Sequence, residues 1–243
     1  MTAAPPWRLQ HFESLGSTSD LCISLAQAGE PARLAVLATR QVAARGSRGR
    51  AWVSLPGNLA LSVLLRPPGP LRQASQWALL AAVALAEALE QFTPGGIVLK
   101  WPNDVMLDGG KLGGILLDSA VGEGRLDWLV IGFGANLASA PDLPDRVAAQ
   151  LPGAAPAPRA VALAVLDRLD HWSRAALLDG FGAVRHAWIM RGPAPGALLR
   201  LRLDGAEISG AFAGLGDDGA LLLQTGGRVR ALQTGEVLQA NRG

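Results

Sequence analysis

An arginine- and glycine-rich segment is the first part of the chain with clear chemical potential. Arg45–Ala51 reads RGSRGRA and is followed at once by Trp52. Guanidinium groups bind phosphate or carboxylate through paired hydrogen bonds, and glycine lets a backbone approach a ligand closely. No acidic residue lies between Glu30 and Glu87, so the sequence supplies no nearby counter-charge. The pattern favours an anion-binding pocket; a solvated basic loop and an RNA-binding tract are the alternatives.

The second feature is a polar run that contains the only two lysines of the chain, Lys100 and Lys111. Every other cationic residue is arginine, so a lysine marks a place where a compact ammonium suits the chemistry better than a planar guanidinium. Asn103 and Asp104 follow an apolar stretch, which predicts polar groups at the mouth of a strand. The alternative for these two residues is a plain turn, which both favour.

Common nucleotide and nucleophile motifs are missing. Gly109–Gly114 contains Gly-Lys without the first glycine and the Ser or Thr of a phosphate loop, and Gly132–Leu137 lacks the third glycine of a dinucleotide fingerprint. One cysteine, Cys22, and three histidines exclude a disulfide framework and make a structural zinc site improbable. Any metal is expected to be a hard cation held by carboxylate and phosphate.

Composition describes a folded globular protein. The chain has 243 residues, of which 49% are hydrophobic and 17% charged, with a formal net charge of +2. That balance excludes a disordered chain and is weak support for nucleic-acid binding. No apolar run reaches the length of a membrane span, and the N-terminus lacks a signal-peptide pattern. We therefore predict a cytoplasmic protein without membrane contact.

The elements that must position these residues are short strands and apolar helices. A helix is predicted to begin near Ser17, Thr18 or Ser19, any of which can cap it, and to end at Gly29. Residues 40–56 read as a loop, and Asp108–Gly110 as a hairpin turn. The other predicted helices are Ser75–Phe92, Ala160–Leu178 and Phe181–Met190. The predicted strands of this part are Trp7–Ser14, Leu34–Thr39, Asn58–Leu65, Ile97–Trp101, Val105–Leu107, Leu112–Asp118 and Trp128–Phe133.

A glycine- and proline-rich stretch, Arg191–Gly196, predicts a domain boundary. Short strands with glycine turns follow it and predict a small all-β module. They are Leu198–Leu203, Glu207–Ala213, Ala220–Leu223 and Arg228–Leu232. The fold class is therefore α+β or α/β with a mixed sheet, plus a C-terminal β module.

Five motifs together resemble the biotin protein ligase family (biotin–acetyl-CoA-carboxylase ligase). They are GSTS at 16–19, RQVAARGSRGRAW at 40–52, KWPNDVMLDGGKLGGILLD at 100–118, IGFGAN at 131–136 and GEV at 235–237. The resemblance implies an α+β fold, with a mixed-sheet catalytic domain of the biotin/lipoate ligase type at 1–192. It also implies an SH3-like β-barrel at 193–243. It is closest to the monofunctional class without an N-terminal DNA-binding domain.

The resemblance also implies which residues form the site. The catalytic residues would be Lys111, Arg48 and Asp104, and Asp104 would also hold Mg²⁺. The biotin site would comprise Ser17, Thr18, Ser19, Gln41, Arg45, Gly46, Ser47, Lys111 and Gly114. The ATP site would comprise Arg48, Arg50, Trp52, Lys100, Asn103, Asp104 and Asn136.

The implied reaction has two steps and uses ATP, biotin and Mg²⁺. Biotin is activated as biotinyl-5′-AMP and then transferred to a specific lysine of a biotin carboxyl carrier protein. The resemblance implies a monomer or a homodimer, and no direct DNA binding is expected. Ala44 and Ser47 depart from the family loop, where a glycine and an arginine are usual, but Arg45, Arg48 and Arg50 remain.

Three other functions are consistent with parts of this pattern. A lipoate ligase or octanoyl transferase would share the fold, although the arginine loop before Trp52 and the C-terminal β module argue against it. A non-enzymatic biotin or nucleotide sensor would bind without turnover. A nucleic-acid-binding protein would show steep salt dependence of binding.

Overall fold

The computed structural model describes residues 5–67, 74–93, 95–122 and 125–240, without the side chains of residues 125, 239 and 240. The outer ends of the two predicted domains, 1–4 and 241–243, therefore lie outside the described residues. The helices are α1 (Thr18–Gln27), α2 (Ala74–Glu90), α3 (Pro158–Asp179) and α4 (Phe181–Ile189). The strands are β1 (Arg8–Leu15), β2 (Leu34–Gln41), β3 (Leu59–Leu65), β4 (Ile97–Lys100), β5 (Asp104–Leu107), β6 (Gly110–Gly122), β7 (Arg125–Ala135), β8 (Leu198–Leu203), β9 (Ala206–Leu215), β10 (Leu221–Thr225), β11 (Arg228–Leu232) and β12 (Glu236–Ala240).

The first seven strands form one sheet in the order β1-β2-β3-β7-β6-β5-β4. Strand β1 runs parallel to β2, and every other pair in this sheet is antiparallel. The predicted mixed sheet and the α+β class are thereby confirmed. The order places β3, β6 and β7 side by side at the centre, where they can line one site.

Both faces of the sheet are covered by helices. On β2, Leu34 and Val36 pack with Cys22 of α1 on one face, whereas Ala35 and Leu37 belong to the large core beneath α2 on the other. Side chains of a strand point alternately to the two faces, so a strand covered on both sides must be apolar throughout. This explains the unbroken apolar run that predicted β2.

Helix α2 is the central helix of the large core, and α3 and α4 pack around it. Its residues from Leu79 to Ala86 are all at most 1% exposed, as its nearly uniform apolar sequence predicts. Within the described residues, no helix is long and apolar enough to cross a membrane.

Strands β8–β12 form a separate antiparallel sheet in the order β11-β10-β9-β8-β12. A turn of this sheet docks on the larger part of the molecule, because the carbonyl oxygens of Asp217 and Asp218 accept hydrogen bonds from Gln76 Nε2 (2.9 Å) and Ser75 Oγ (2.7 Å). Trp101 Nε1 also donates to the carbonyl of Gly219 at 3.3 Å. These contacts fix the C-terminal sheet against the start of α2.

Most predicted elements are present with shifted ends. Strands β6 and β7 are longer than predicted because they form one continuous hairpin, and β12 has no counterpart among the predicted strands. The predicted hairpin turn is confirmed at Asp108 and Gly109, whose φ angles are 48° and 82°. Two consecutive positive φ angles match the twist of the flanking strands.

Candidate active site

A cleft of about 460 Å³ opens at the start of α1, between this helix and the central strands. All nine residues predicted for the biotin site line it: Ser17, Thr18, Ser19, Gln41, Arg45, Gly46, Ser47, Lys111 and Gly114. They come from four separate segments of the chain, which the sheet order brings together.

The start of α1 supplies three hydroxyl groups to the cleft. Ser17 caps the helix, and its Oγ accepts a hydrogen bond from the Asp20 N–H at 3.3 Å. Serine is a preferred cap because its oxygen replaces a missing partner of the first helical turn. Ser17, Thr18 and Ser19 are each at most 5% exposed, so this end of the cleft is polar and largely closed to water.

The polar end continues into strands β2 and β3. Gln41 Oε1 accepts hydrogen bonds from the Thr18 N–H at 2.8 Å and from Thr18 Oγ1 at 3.1 Å. Ser62 Oγ lies 2.7 Å from Thr18 Oγ1 and 3.0 Å from Ser19 Oγ. Sequence analysis missed Ser62, since a single serine in an apolar strand gives no signal by itself.

Two glycines of β7 form the floor of the cleft. A Cβ at Gly132 would lie 2.7 Å from Ser19 Oγ, and a Cβ at Gly134 would lie 2.8 Å from Cε2 of Trp52. Any larger residue would therefore push a cleft side chain aside. Sequence analysis noted these glycines in a failed dinucleotide motif and in the IGFGAN motif of the resemblance but gave them no site role, although their alternation on a buried strand was a usable signal. It also missed Leu61, Ile115, Leu116 and Phe133 of the lining.

A bulge in the sheet aims Lys111 into the cleft. Met106 pairs with Lys111 and Val105 with Gly113, so Leu112 is an extra residue in β6. Without it, Lys111 and Gly114 would point to opposite faces of the sheet; with it, both line the cleft.

The two lysines share one carboxylate. Asp104 lies 2.5 Å from Lys111 Nζ and 3.2 Å from Lys100 Nζ, and its side chain is only 15% exposed. Burial by itself would raise the pKa of Asp104, but the charges and hydrogen bonds of Lys111 and Lys100 outweigh it and leave that pKa below its ordinary value. Asp104 is therefore an ionised carboxylate that orients two ammonium groups.

Lys111 also faces an aromatic ring, with Nζ 5.7 Å from the ring centroid of Trp52. Trp52 and Lys111, together with Gly46 and Ser47, line both the first cleft and a second cleft of about 550 Å³. The second cleft is completed by Arg50, Ala51, Val53, Asn136, Pro141, Leu143, Arg146 and Ala148. Lys111 thus lies where two clefts meet.

The predicted ATP residues are spread over the three clefts, and two of them, Trp52 and Asn103, also line the first cleft. Arg50, Trp52 and Asn136 line the second cleft. Arg48, Lys100, Asn103 and Asp104 instead line a third cleft of about 330 Å³, which Arg50 and Ser47 also border. The second and third clefts share these two residues in their linings.

Asn136 is a structural residue as well as a wall of the second cleft. It is 2% exposed, and its Nδ2 donates to the carbonyl of Ala149 at 2.9 Å. Asn58, which sequence analysis missed, lies beside it and accepts from the backbone N–H groups of Leu137 and Ala138, both at 2.9 Å. This pair fixes the segment that borders the cleft.

The arginines of the predicted anion-binding loop are all paired with carboxylates. Arg45 Nε lies 2.7 Å from Asp20, and its NH2 lies 2.9 Å from Asp118. Arg48 and Arg50 each lie 2.9 Å from Glu236, which begins β12 of the C-terminal sheet. These partners were missed because they lie far along the sequence from the loop.

A metal site at Asp104 fits this arrangement poorly, because both carboxylate oxygens contact a lysine ammonium. Across residues 5–67, 74–93, 95–122 and 125–240, no group of three or more His, Cys, Asp or Glu side chains could hold a metal ion. The assignment of Mg²⁺ to Asp104 stays a prediction.

The chain is similar to known ligases in both sequence and fold. Residues 12–136 match the sequence model of the Biotin/lipoate A/B protein ligase family. A biotin–[acetyl-CoA-carboxylase] ligase of Paracoccus denitrificans is 37% identical over 78% of this chain and 83% of its own. A bifunctional ligase/repressor of Bacillus subtilis is 32% identical over 94% of this chain and 73% of its own. The structure of a biotin protein ligase from Aquifex aeolicus in complex with biotin and ATP superposes with a TM-score of 0.81, at 27% identity, over 97% of this chain and 99% of that one.

Proposed function

The chain belongs to the biotin/lipoate A/B protein ligase family, and from this we propose that it is an ATP-dependent biotin protein ligase. In the first step the biotin carboxylate attacks the α-phosphate of ATP, forming biotinyl-5′-AMP and releasing pyrophosphate. In the second step a lysine amine of a biotin carboxyl carrier protein attacks the acyl carbon and releases AMP. A named ligase relative at 37% identity supports this acceptor class.

The position of Lys111 between two clefts carries the proposal. The first cleft has a polar, closed end at α1, and the second has apolar walls that include Trp52 and Leu143. A biotin whose ring lies at the polar end extends its carboxylate toward Lys111, where it meets a nucleotide in the second cleft. The approach of a carboxylate to a polyphosphate is electrostatically unfavourable, and the ammonium of Lys111 offsets that repulsion and stabilises the developing charge.

The polar end of the cleft supports biotin over lipoate. Hydrogen-bonding groups of Ser17, Thr18, Ser19, Gln41 and Ser62 surround it, and all of these residues except Gln41 are at most 5% exposed. The ureido ring of biotin has one carbonyl and two N–H groups, whereas the dithiolane ring of lipoate has none. A buried polar site left without partners strongly disfavours the analogue that lacks them.

We assign the phosphates beyond the α-position to the third cleft. Arg48, Arg50 and Lys100 all line it and form a cationic cluster beside the second cleft. Glu236 currently neutralises the two arginines, so phosphate oxygens would compete with that carboxylate. We place Mg²⁺ with the nucleotide, as MgATP substrate, because Asp104 is already held by two lysines.

Asp104 is better suited to positioning than to proton abstraction. Its low pKa and its two ammonium partners make it a weak base at neutral pH. We therefore assign Asp104 to orienting Lys111. Residues 1–192 carry the ligase chemistry in this proposal, and residues 193–243 act through Glu236 on the arginine loop.

The proposed function is tested by the mass of an acceptor. The purified chain is incubated with MgATP, a biotinyl acceptor domain and either biotin or lipoate, with an acceptor whose target lysine is replaced by arginine as control. We expect the mass of the intact acceptor to increase by the mass of one biotinyl group when biotin is supplied. The mass of the acceptor without its target lysine should not change. A gain with lipoate would identify a lipoate ligase, and biotin binding without any gain would identify a sensor.

A further inference from the structure

Ser62 lies at the centre of a buried hydrogen-bonded chain that the assigned biotin residues do not include. It is 0% exposed, and its hydroxyl is within hydrogen-bond distance of both Thr18 and Ser19. Strand β3 presents it to the same face as the floor glycine Gly132, with which it pairs. No motif of the sequence points to this residue.

The direction of the chain follows from the partner at its far end. Gln41 Oε1 accepts from the Thr18 backbone N–H at 2.8 Å, so this atom is the amide oxygen, which can only accept. Thr18 Oγ1, 3.1 Å away, must therefore donate its single proton to Gln41. Having used that proton, Thr18 can only accept from Ser62.

Because each hydroxyl has a single proton, the same argument fixes the hydrogen-bond directions of Ser62 and Ser19. Ser62 donates its one proton to Thr18 over 2.7 Å, so it can only accept from Ser19 over 3.0 Å. All the protons then point one way, from Ser19 through Ser62 and Thr18 to Gln41. Ser19 is left with oxygen lone pairs and no free proton to offer to the cleft.

Two other groups at this end are donors. Ser17 Oγ accepts from the Asp20 N–H, which leaves the Ser17 proton available. The Gln41 Nε2 group has no hydrogen-bond partner among the residues that the structure describes, so both of its protons are available. This end of the cleft thus offers one acceptor, Ser19, and two donors, Ser17 and Gln41.

We infer that Ser62 is a positioning residue which fixes Ser19 as a hydrogen-bond acceptor for one N–H of a cyclic urea. This inference rests on the proposed biotin function and concerns the same cleft. The arrangement complements a urea, since its carbonyl accepts from Ser17 and Gln41 while its N–H donates to Ser19. Gly132 is required for this geometry, because a Cβ there would lie 2.7 Å from Ser19 Oγ.

The experiment compares ligands that differ at a single group. Calorimetry measures binding of biotin and of the two cyclic carbamates in which one or the other ring N–H is replaced by oxygen. We expect the wild-type chain to bind one carbamate about tenfold or more weakly than biotin, because the ring oxygen cannot donate to Ser19. Ser19→Ala should abolish that preference.

Substitution of Ser62 tests the relay, that is, the series of hydrogen bonds from Ser19 through Ser62 and Thr18 to Gln41. In Ser62→Ala the Ser19 proton is released and can turn toward the ligand, so the preference for the N–H should fall by about five- to tenfold. The KM for biotin should rise while kcat changes little, because Ser62 is remote from the reacting carboxylate. Ser62→Cys fills the site with a somewhat larger sulfur that hydrogen-bonds weakly, and should behave like Ser62→Ala. Ser119→Ala, an exposed serine on β6, is the control.

The possible outcomes separate this inference from the proposed function. If Ser62→Cys keeps the wild-type preference, packing alone matters and the relay is wrong. If wild type does not distinguish biotin from either carbamate, Ser19 accepts no ligand N–H and the inference fails even though biotin binds. If biotin does not bind at all, the proposed function fails together with it.

Discussion

At the residue scale, the site is organised around one carboxylate and two ammonium groups. Lys111 and Lys100 both contact Asp104, at 2.5 and 3.2 Å. Only Lys111 extends into the junction of the two larger clefts, whereas Lys100 lines the third. In the proposed function, the same carboxylate orients one ammonium toward the biotin carboxylate and the other toward the phosphates.

Replacement of Lys111 by methionine should remove adenylate formation while the chain stays folded. Methionine keeps most of the length of the side chain but not its charge, and loss of one electrostatic stabiliser typically lowers a rate about hundredfold or more. The measurement is single-turnover formation of biotinyl-AMP. Lys100→Met is the matched control and should lose less; an unchanged rate in Lys111→Met would refute the role given to Lys111.

The stability contributed by Asp104 should depend on pH. Because its pKa is lowered in the folded chain, the contribution is complete above the ordinary carboxyl value of about 4 and is lost as the pH falls through the lower folded value. Asp104→Asn should cost about 2 kcal/mol of unfolding free energy at neutral pH. Urea unfolding measures this difference.

The difference between wild type and Asp104→Asn should shrink toward zero below about pH 4, as wild type becomes protonated. A difference that stays constant from neutral pH to about pH 3 would show that folding does not lower the pKa of Asp104.

Sequence analysis identified the cationic residues of the site but missed their ion-pair partners and the small residues that shape the cleft. The scarcity of lysine and the arginine-glycine spacing pointed to Lys111 and Arg45. The partners Asp118 and Glu236 could not be predicted, since each lies more than 70 positions from the arginine that it binds. Ser62 and Gly132 were missed because their roles depend on which strands are neighbours.

At the element scale, two structural features place side chains in the cleft: the start of α1 and the bulge in β6. The capping serines of α1 were predictable from local rules. The bulge was not, because it depends on the register between β5 and β6. Continuous apolar runs likewise located β2 and α2, whereas the parallel pairing of β1 with β2 is a long-range choice that no local pattern contains.

The packing of α1 predicts an unreactive thiol. Cys22 is fully buried between α1 and β2, and burial raises its pKa to about 12. Because the thiolate is the reactive form, iodoacetamide at about pH 8 should label the native chain far more slowly than the urea-unfolded chain. Mass spectrometry gives both rates. Comparable rates would mean that α1 does not stay packed on the sheet.

At the scale of the whole molecule, the C-terminal sheet contacts the arginine loop through Glu236, and Gly235 and Val237 line the third cleft beside it. Glu236 binds Arg48 and Arg50, while the turn at 217–219 anchors the same sheet to α2. Burial would raise the pKa of Glu236, but its hydrogen bond to Arg50 and the charges of both arginines outweigh this and lower it. The carboxylate is therefore ionised at neutral pH and restrains the loop.

Loss of this restraint should expose the loop to protease. Trypsin cleaves after arginine, and Glu236→Gln should raise cleavage within residues 45–50 by about three- to tenfold, since two ion pairs that close the loop are weakened. Glu207→Gln, which removes the charge paired with exposed Arg200 on the same sheet, is the matched control. Equal cleavage of the two variants would show that Glu236 does not hold the loop.

The most direct test of the account is exchange of labelled pyrophosphate into ATP. This reaction reports the first step alone and needs no acceptor protein. We predict exchange that depends on biotin, is not supported by lipoate, and is lost in Lys111→Met. Exchange with lipoate, or tight biotin binding without any exchange, would contradict the claim that this cleft activates biotin beside Lys111.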